Sequence, residues 1–465
     1  MKLNFERNKP PLVTMGLKWK KHVVIVFGIL IVVSIIYFFG SISSGGLRRN
    51  VSDGSRLLQK SRHKQGYSVW QTFDPKPGMD REYFSKRCVK QTDFSITGLV
   101  TLRKEWADTR DLLCRELFQK FSAVFALEGE HASLKIPKPF QRKVRKWLGN
   151  DEALFQQVYN QDVIHVVNHY THEHTIFNPI RDKRPVIPPE ISEKKYVDDI
   201  LAETSGSCDF CNFKEFTAEH TFGRVESRYA FSASNIFKMN PLHALVALKQ
   251  HNPLDWNMEK FLDVMGLTLT WLTKANKHYP NALYPALIWD VLPKCGASQV
   301  HPHMQVMLDS HRYHGEVEVW RDGAQDYNDE FNSNYFSDLV TMYSVLNLTA
   351  TYGDAVAFAS LVPRKDHEVV IMAEKPSEDF YKLLYFVLRA FIDDLGKMCY
   401  SMGMGLPPFD TSKGRLPAYA RVITRGAVTE IRTDISSFEL FLASNVNIDP
   451  YKTIQFVRNS IDKRK

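Results

Sequence analysis

The sequence predicts an α+β protein: two similar halves, each an antiparallel sheet with helices, behind an N-terminal transmembrane helix. Three observations predict it. The stretch "VHPHMQVML" (300–308) alternates, with His301, His303 and Gln305 on one side and Val300, Pro302, Met304, Val306 and Leu308 on the other. That is the period of a strand with one face on a core; on a helix His303 would point roughly 200° away from His301. Pro302 cannot donate to a ladder, which places the segment at an edge or at a strand start. The outline also recurs. A helix opening at Asn257 lies 44 residues before His301, and one opening at Ser377 lies 42 residues before Tyr419, where "AYARVITR" alternates without histidines. An internal duplication with one chemically active copy accounts for this. Finally, "HVVIVFGILIVVSIIYFFG" runs from His22 to Gly40, with no charged residue between Lys21 and Arg48, long enough to cross a bilayer.

The elements follow in order. Residues 1–21 read as a cytoplasmic tail, because Lys18, Lys20 and Lys21 crowd the start of the apolar run and Arg48 and Arg49 come only after it. Residues 22–42 form the span, and the rest is then lumenal (Golgi or ER), as in a single-pass type II membrane protein. A cleaved signal peptide, with "SISSGG" at the cut, is the alternative. Two sequons, at Asn50 and Asn347, are compatible with a lumenal side. Residues 43–75, rich in Ser, Gly, Arg and Lys, read as a stem. Residues 76–160 are an extension without an assigned role, in which Trp106, Leu112, Leu113, Leu117 and Phe121 have helical spacing and "KPFQRKVRKWLGN" reads as solvated basic surface. Residues 161–335 hold the first half and 336–465 the second.

Of the 465 residues, 44% are hydrophobic and 12% aromatic, enough for a real core. The net charge of +8 is modest. Most of it reads as solvated surface, and its sharper meaning is an anionic substrate or membrane face. No dense Lys/Arg block is interleaved with aromatics, so nucleic acid is not expected as a partner. Six cysteines in a chain of this length do not make a disulfide scaffold.

The histidine row suits nucleophilic attack on phosphorus. An imidazole attacks, a covalent intermediate forms, and a second acceptor resolves it. His303 is central and is the natural nucleophile; Gln305 can donate an amide N–H to a phosphoryl oxygen. The competing explanation is three polar residues on an exposed strand face. "SCDFCNF" supplies Cys208 and Cys211, which fit either a disulfide or half of a zinc site completed from His243, His251, His301 or His303.

From Phe177 to the C-terminus, about 60% of the chain, these motifs together resemble the galactose-1-phosphate uridylyltransferase family of the histidine-triad superfamily. "NPIRDKRP" is similar to its nucleoside-contacting segment, with Arg181 and Arg184 at its two arginines. Cys208 and Cys211 match its zinc pair, "HNP" with His251 its third ligand, and His301, fifty residues later, its fourth. "GASQVHPHMQ" resembles its catalytic segment, which puts Ser298 and Gln305 at phosphoryl-contacting positions and His303 at the nucleotidylated one. "SNIF" with Asn235 resembles its nucleoside segment, and "SSFELFLAS" its substrate loop, with Glu439 at the acidic position. The resemblance implies two histidine-triad-like halves, a structural zinc ion, a nucleotide sugar and a sugar 1-phosphate as ligands, and a homodimer. It implies transfer of a nucleoside monophosphate from a UDP-hexose-like donor to a hexose 1-phosphate through His303. A phosphorylase or hydrolase of the same superfamily, and an inactive membrane-tethered nucleotide-sugar-binding protein, are the alternatives.

The pattern departs in two places. Gly405, Tyr419 and Arg421 stand where the family's second metal site has histidines, so no second metal is expected. Asp290 falls where an asparagine is expected, and a carboxylate there would repel phosphate.

Overall fold

The computed structural model describes residues 72–90, 94–184, 190–411, 415–430 and 432–465. The expected span at 22–42, nearly all of the stem and the Asn50 sequon lie outside them. Among the described residues, no helix is long and apolar enough to cross a membrane. Residues Tyr67–Lys465 form a single unit.

Two sheets organise that unit. The smaller has the order β1-β2-β3-β13: β1 (Phe125–Ser133), β2 (Asn160–Asn168), β3 (His174–Phe177) and β13 (Ser444–Val446). Its β1–β2 pairing crosses the expected boundary at 160/161, so the N-terminal extension is continuous with the segment that carries Arg181. The helical spacing at 106–121 resolves into two helices, Gly98–Ala107 and Leu112–Val124; the second is capped by Asp111, whose carboxylate accepts from the Cys114 amide. Leu112 and Leu113 begin that helix on its outer side and are exposed, against the periodic reading.

The larger sheet has nine strands in the order β4-β5-β7-β6-β11-β12-β10-β9-β8. In chain order they are β4 (Ala230–Ser234), β5 (His243–Leu248), β6 (Tyr284–Asp290), β7 (His303–Asp309), β8 (Thr349–Tyr352), β9 (Ala355–Ala359), β10 (Val369–Ala373), β11 (Tyr400–Gly405) and β12 (Ala418–Thr424). The duplication is visible in this order. β4, β5, a helix, β6 and β7 are laid out as β4-β5-β7-β6; β9, β10, a helix, β11 and β12 as β9-β10-β12-β11. The two copies join where β6 and β11 pair antiparallel, from Ala286↔Gly405 to Asp290↔Ser401. The helices are Met258–His278, capped by Asn257, and Glu378–Arg389, capped by Ser377; the side chain of each cap accepts from a backbone amide in the first turn. They touch each other and cover one face of the sheet. Val300, Met304, Val306 and Leu308 are buried in that core, as the alternation predicts.

Four of the six cysteines are paired, Cys88 with Cys114 and Cys295 with Cys399. The second bond ties the loop before β7 to the start of β11, across the junction of the halves. Composition had not suggested these crosslinks. The Asn347 sequon sits in a left-handed turn (φ 61°), with its Oδ1 accepting from Arg81 and Arg458.

Candidate active site

β7 is an interior strand, between β5 and β6, and Pro302 stands just before its first residue, where no ladder amide is lost. Cross-strand register places Gln305 opposite Leu245 and Ile288, Ile288 opposite Gly403, and Gly403 opposite Arg421. His303, Gln305, Asp290, Ser401 and Arg421 therefore share the sheet face away from the two long helices. The row is not the exposed strand face of the competing explanation, and the attacking ring expected to stand exposed at 303 is buried. His301 is 1% exposed and His303 7%, because Phe210, between the two cysteines, packs edge-on against both rings at centroid distances of 5.6 and 5.3 Å.

Burial leaves the ring of His303 oriented. Its Nδ1 lies 2.8 Å from the carbonyl oxygen of His301, an acceptor, so Nδ1 carries the proton and Nε2 the lone pair. Among the described residues, Nε2 has no hydrogen-bond partner. Burial also pushes the His303 pKa down, which keeps the ring neutral and nucleophilic.

The ligand atoms of Cys208, Cys211, His251 and His301 all lie within 4.8 Å of one another. Cys208 and Cys211 bracket a turn closed by the Cys211 amide on the Cys208 carbonyl. Their sulfurs lie 3.4 and 3.6 Å from His301 Nδ1, and Cys211 Sγ lies 3.6 Å from His251 Nδ1. The outer nitrogens are fixed by acceptors. His301 Nε2 donates to the Leu248 carbonyl at 2.5 Å, and His251 Nε2 to the Thr204 hydroxyl at 3.0 Å, whose own proton goes to the Ile200 carbonyl. Both Nδ1 lone pairs thus face the sulfurs. Burial lowers the His301 pKa to about 4, lowers that of His251 and raises that of the Cys211 thiol to about 11, so both imidazoles are neutral, as ligands must be. Cys208 and Cys211 are free thiols, not a disulfide.

His243, one of the sequence candidates for the metal, does other work. It is fully buried on β5, its Nδ1 accepts from the Met239 amide at 3.2 Å, and its Nε2–H therefore donates to Gln305 Oε1 at 2.9 Å. That fixes the Gln305 carboxamide with its NH₂ group free. Asn235 stands beside it, its amide nitrogen 3.3 Å from His243 Nε2. No spacing rule marks His243 for this role, since it depends on which strands pair.

Of the remaining candidates, Asp290 lies on the sheet face of His303 and the others lie outside the sheet. Ser298 is exposed on the loop before β7. Asp290 accepts from the Ser401 hydroxyl at 2.6 Å, which in turn accepts from Arg425 at 3.0 Å, so its charge is partly relayed onto a guanidinium. Arg181 and Arg184 are exposed on the turn after β3 and carry no ion pair with a described residue. Glu439 is occupied: one oxygen takes the Lys365 ammonium at 2.6 Å and the other closes a capping box with Ser436 on the helix Ser437–Phe441.

In the second half, Gly405, Tyr419 and Arg421 are committed to packing and ion pairing. A Cβ on Gly405 would lie 2.8 Å from the Tyr419 ring, so tyrosine and glycine fit as a pair. Arg421 binds Glu368 at 3.0 Å through Nε and also binds Glu173, whose other oxygen accepts from Thr171 and Trp320. The two carboxylates are buried and Arg421 nearly so; Arg421 and Arg364, 3.6 Å from Glu173, supply the positive charge there.

No family model and no curated protein matches the sequence. Solved structures do resemble the fold. An ADP-glucose phosphorylase from Arabidopsis thaliana with bound ADP-glucose is 16% identical over 63% of this chain and 98% of its own, with a TM-score of 0.49. A GalT-like protein from Arabidopsis thaliana is 16% identical over 54% and 91%, at 0.45. A uridylyltransferase is 14% identical over 65% and 99%, at 0.45.

Proposed function

We propose that this chain is a nucleotidyltransferase that moves a nucleoside monophosphate from a UDP-hexose-like nucleotide sugar to a hexose 1-phosphate through a covalent nucleotidyl-histidine at His303. The observation that carries this reading is the fixed tautomer: Nδ1–H held on the His301 carbonyl leaves the lone pair on Nε2, and the Gln305 amide is oriented two residues along the same strand face.

Nε2 attacks the α-phosphorus of the donor. An N–P bond forms, the P–O bond to the sugar phosphate breaks, and hexose 1-phosphate leaves with the electron pair. No proton has to move: the ring gains positive charge, and its Nδ1–H stays on the carbonyl. An oxygen of the second hexose 1-phosphate then attacks the same phosphorus and returns Nε2 to its starting state. The Gln305 NH₂ group donates to a non-bridging oxygen as charge grows there. Ser298 is assigned a second such contact, Asn235 and Asp290 contacts to the nucleoside side, and Arg181 and Arg184 phosphate or nucleotide contacts. Cys208, Cys211, His251 and His301 would hold a zinc ion that is structural, since four protein ligands leave no open position.

A second reading, a phosphorylase in which inorganic phosphate is the acceptor, is favoured by Glu439. Both of its oxygens are engaged with Lys365 and Ser436, which leaves it poorly placed to receive an acceptor sugar. We place the catalytic unit on the lumenal side of a single-pass anchor; two disulfides suit an oxidising compartment. The test is to load the enzyme from UDP-glucose and ADP-glucose, then chase with galactose 1-phosphate or with phosphate. A new nucleotide sugar supports the transferase, a nucleoside diphosphate the phosphorylase, and no product from either chase would overturn both.

A further inference from the structure

The small sheet turns Leu127, Val166 and Phe177 into the core. Its opposite face carries Glu128, His165 and His174 on three successive strands. Glu128 is the direct cross-strand partner of His165, and His174 pairs with Val167, one diagonal step from His165. His165 Nδ1 and His174 Nε2 stand 3.2 Å apart, with the ring planes inclined by 36°. Both rings are half-buried and Glu128 is exposed.

Two imidazole nitrogens on one tetrahedral zinc, each at 2.0–2.1 Å, lie about 3.3–3.4 Å from each other. The pair is already at that separation, held by strands rather than by a loop. We propose that His165, His174 and Glu128 form a second divalent-cation site, separate from the cysteine cluster, for a borderline ion such as zinc. Two imidazoles and a carboxylate suit such ions. Without the ion, one ring's N–H bridges to the other ring's lone pair. On binding, that ring moves its proton to its other nitrogen, so two lone pairs face the metal and no net proton is released. Glu128 closes the third position by rotating its exposed side chain; its charge already favours the protonated form of His174, against the burial that lowers that pKa. Water completes the shell, so the site is exchangeable.

The test uses the full chain with its cysteine site zinc-loaded, dialysed against a mild chelator and titrated calorimetrically with ZnCl₂, then with CoCl₂. One further equivalent is expected, without the sulfur-to-cobalt charge-transfer band of a thiolate site. It should disappear in the His165→Ala/His174→Ala double variant and weaken about tenfold in Glu128→Gln. These side chains lie on the solvent face, so circular dichroism and the cysteine-bound zinc should be unchanged. No further equivalent in the wild type, or equal uptake by the double variant, would overturn the site.

Discussion

His303 donates its Nδ1 proton to the backbone carbonyl of His301, 2.8 Å away, so the putting of one ring into place depends on the residue that carries the other. His301 is itself held between two sulfurs and the Leu248 carbonyl. The metal group and the nucleophile are thus two ends of one short backbone segment.

Removing the cluster should act through that segment. Cys208→Ser should release one zinc per chain and lower stability by several kcal/mol, on the order seen for structural zinc sites. Metal analysis and thermal unfolding check this. Zinc content unchanged in the variant would remove the ion from the account.

Gln305 and His243 should behave as a unit. Gln305→Ala removes a donor to the phosphoryl group and should cost about 10²–10³ in the rate of adduct formation. His243→Leu leaves Gln305 unoriented and should cost part of that. The double variant should be little worse than Gln305→Ala alone, measured by single-turnover kinetics. Additive losses would mean that His243 does not act through Gln305.

Arg421→Met leaves Glu368 buried without its cation and Glu173 with Arg364 alone, 3.6 Å away, and should destabilise the fold by about 3–5 kcal/mol. Burial holds the Glu368 pKa above the ordinary carboxylate value even beside Arg421. A folded-state pKa raised in this way means the folded chain holds the proton more tightly. Its contribution is then favourable at low pH and lost as pH rises through the folded value. The deficit of the variant should therefore shrink on acidification between pH 7 and 5, and Glu368→Gln added to it should recover part of the loss. Urea unfolding at the two pH values checks both.

The Cys295–Cys399 bond spans 104 residues and ties the loop of Ser298 to β11. Cys295→Ser/Cys399→Ser should lose up to about 4 kcal/mol of stability. Because Arg425 donates to both the Cys295 carbonyl and Ser401, adduct formation should slow as well. A variant equal to wild type in stability would deny the crosslink a structural role.

Much of the site was legible because its parts announce themselves locally. The period-two row fixed a strand, Asn257 and Ser377 marked helix starts, and the C-x-x-C, His251 and His301 do come together. The misreadings have common causes. Alternation gave the face of His303 but not what covers it, and Phe210 comes from a loop nearly a hundred positions earlier. Leu112 and Leu113 fit a helical period, yet neighbouring elements decide which turn is covered. That Glu439 bonds its own helix cap and Lys365 is likewise invisible in a motif match. Glu173, Glu368 and Arg421 meet only because β10 and β12 pair and β3 approaches them; nothing local links the three.

The most direct measurement is peptide mapping by mass spectrometry after brief incubation with a nucleotide sugar and quenching at alkaline pH, where phosphoramidates survive. The account predicts one nucleoside-monophosphate adduct on His303, absent in a folded His303→Asn variant. An adduct on another residue, or turnover by His303→Asn at the wild-type rate, would contradict it.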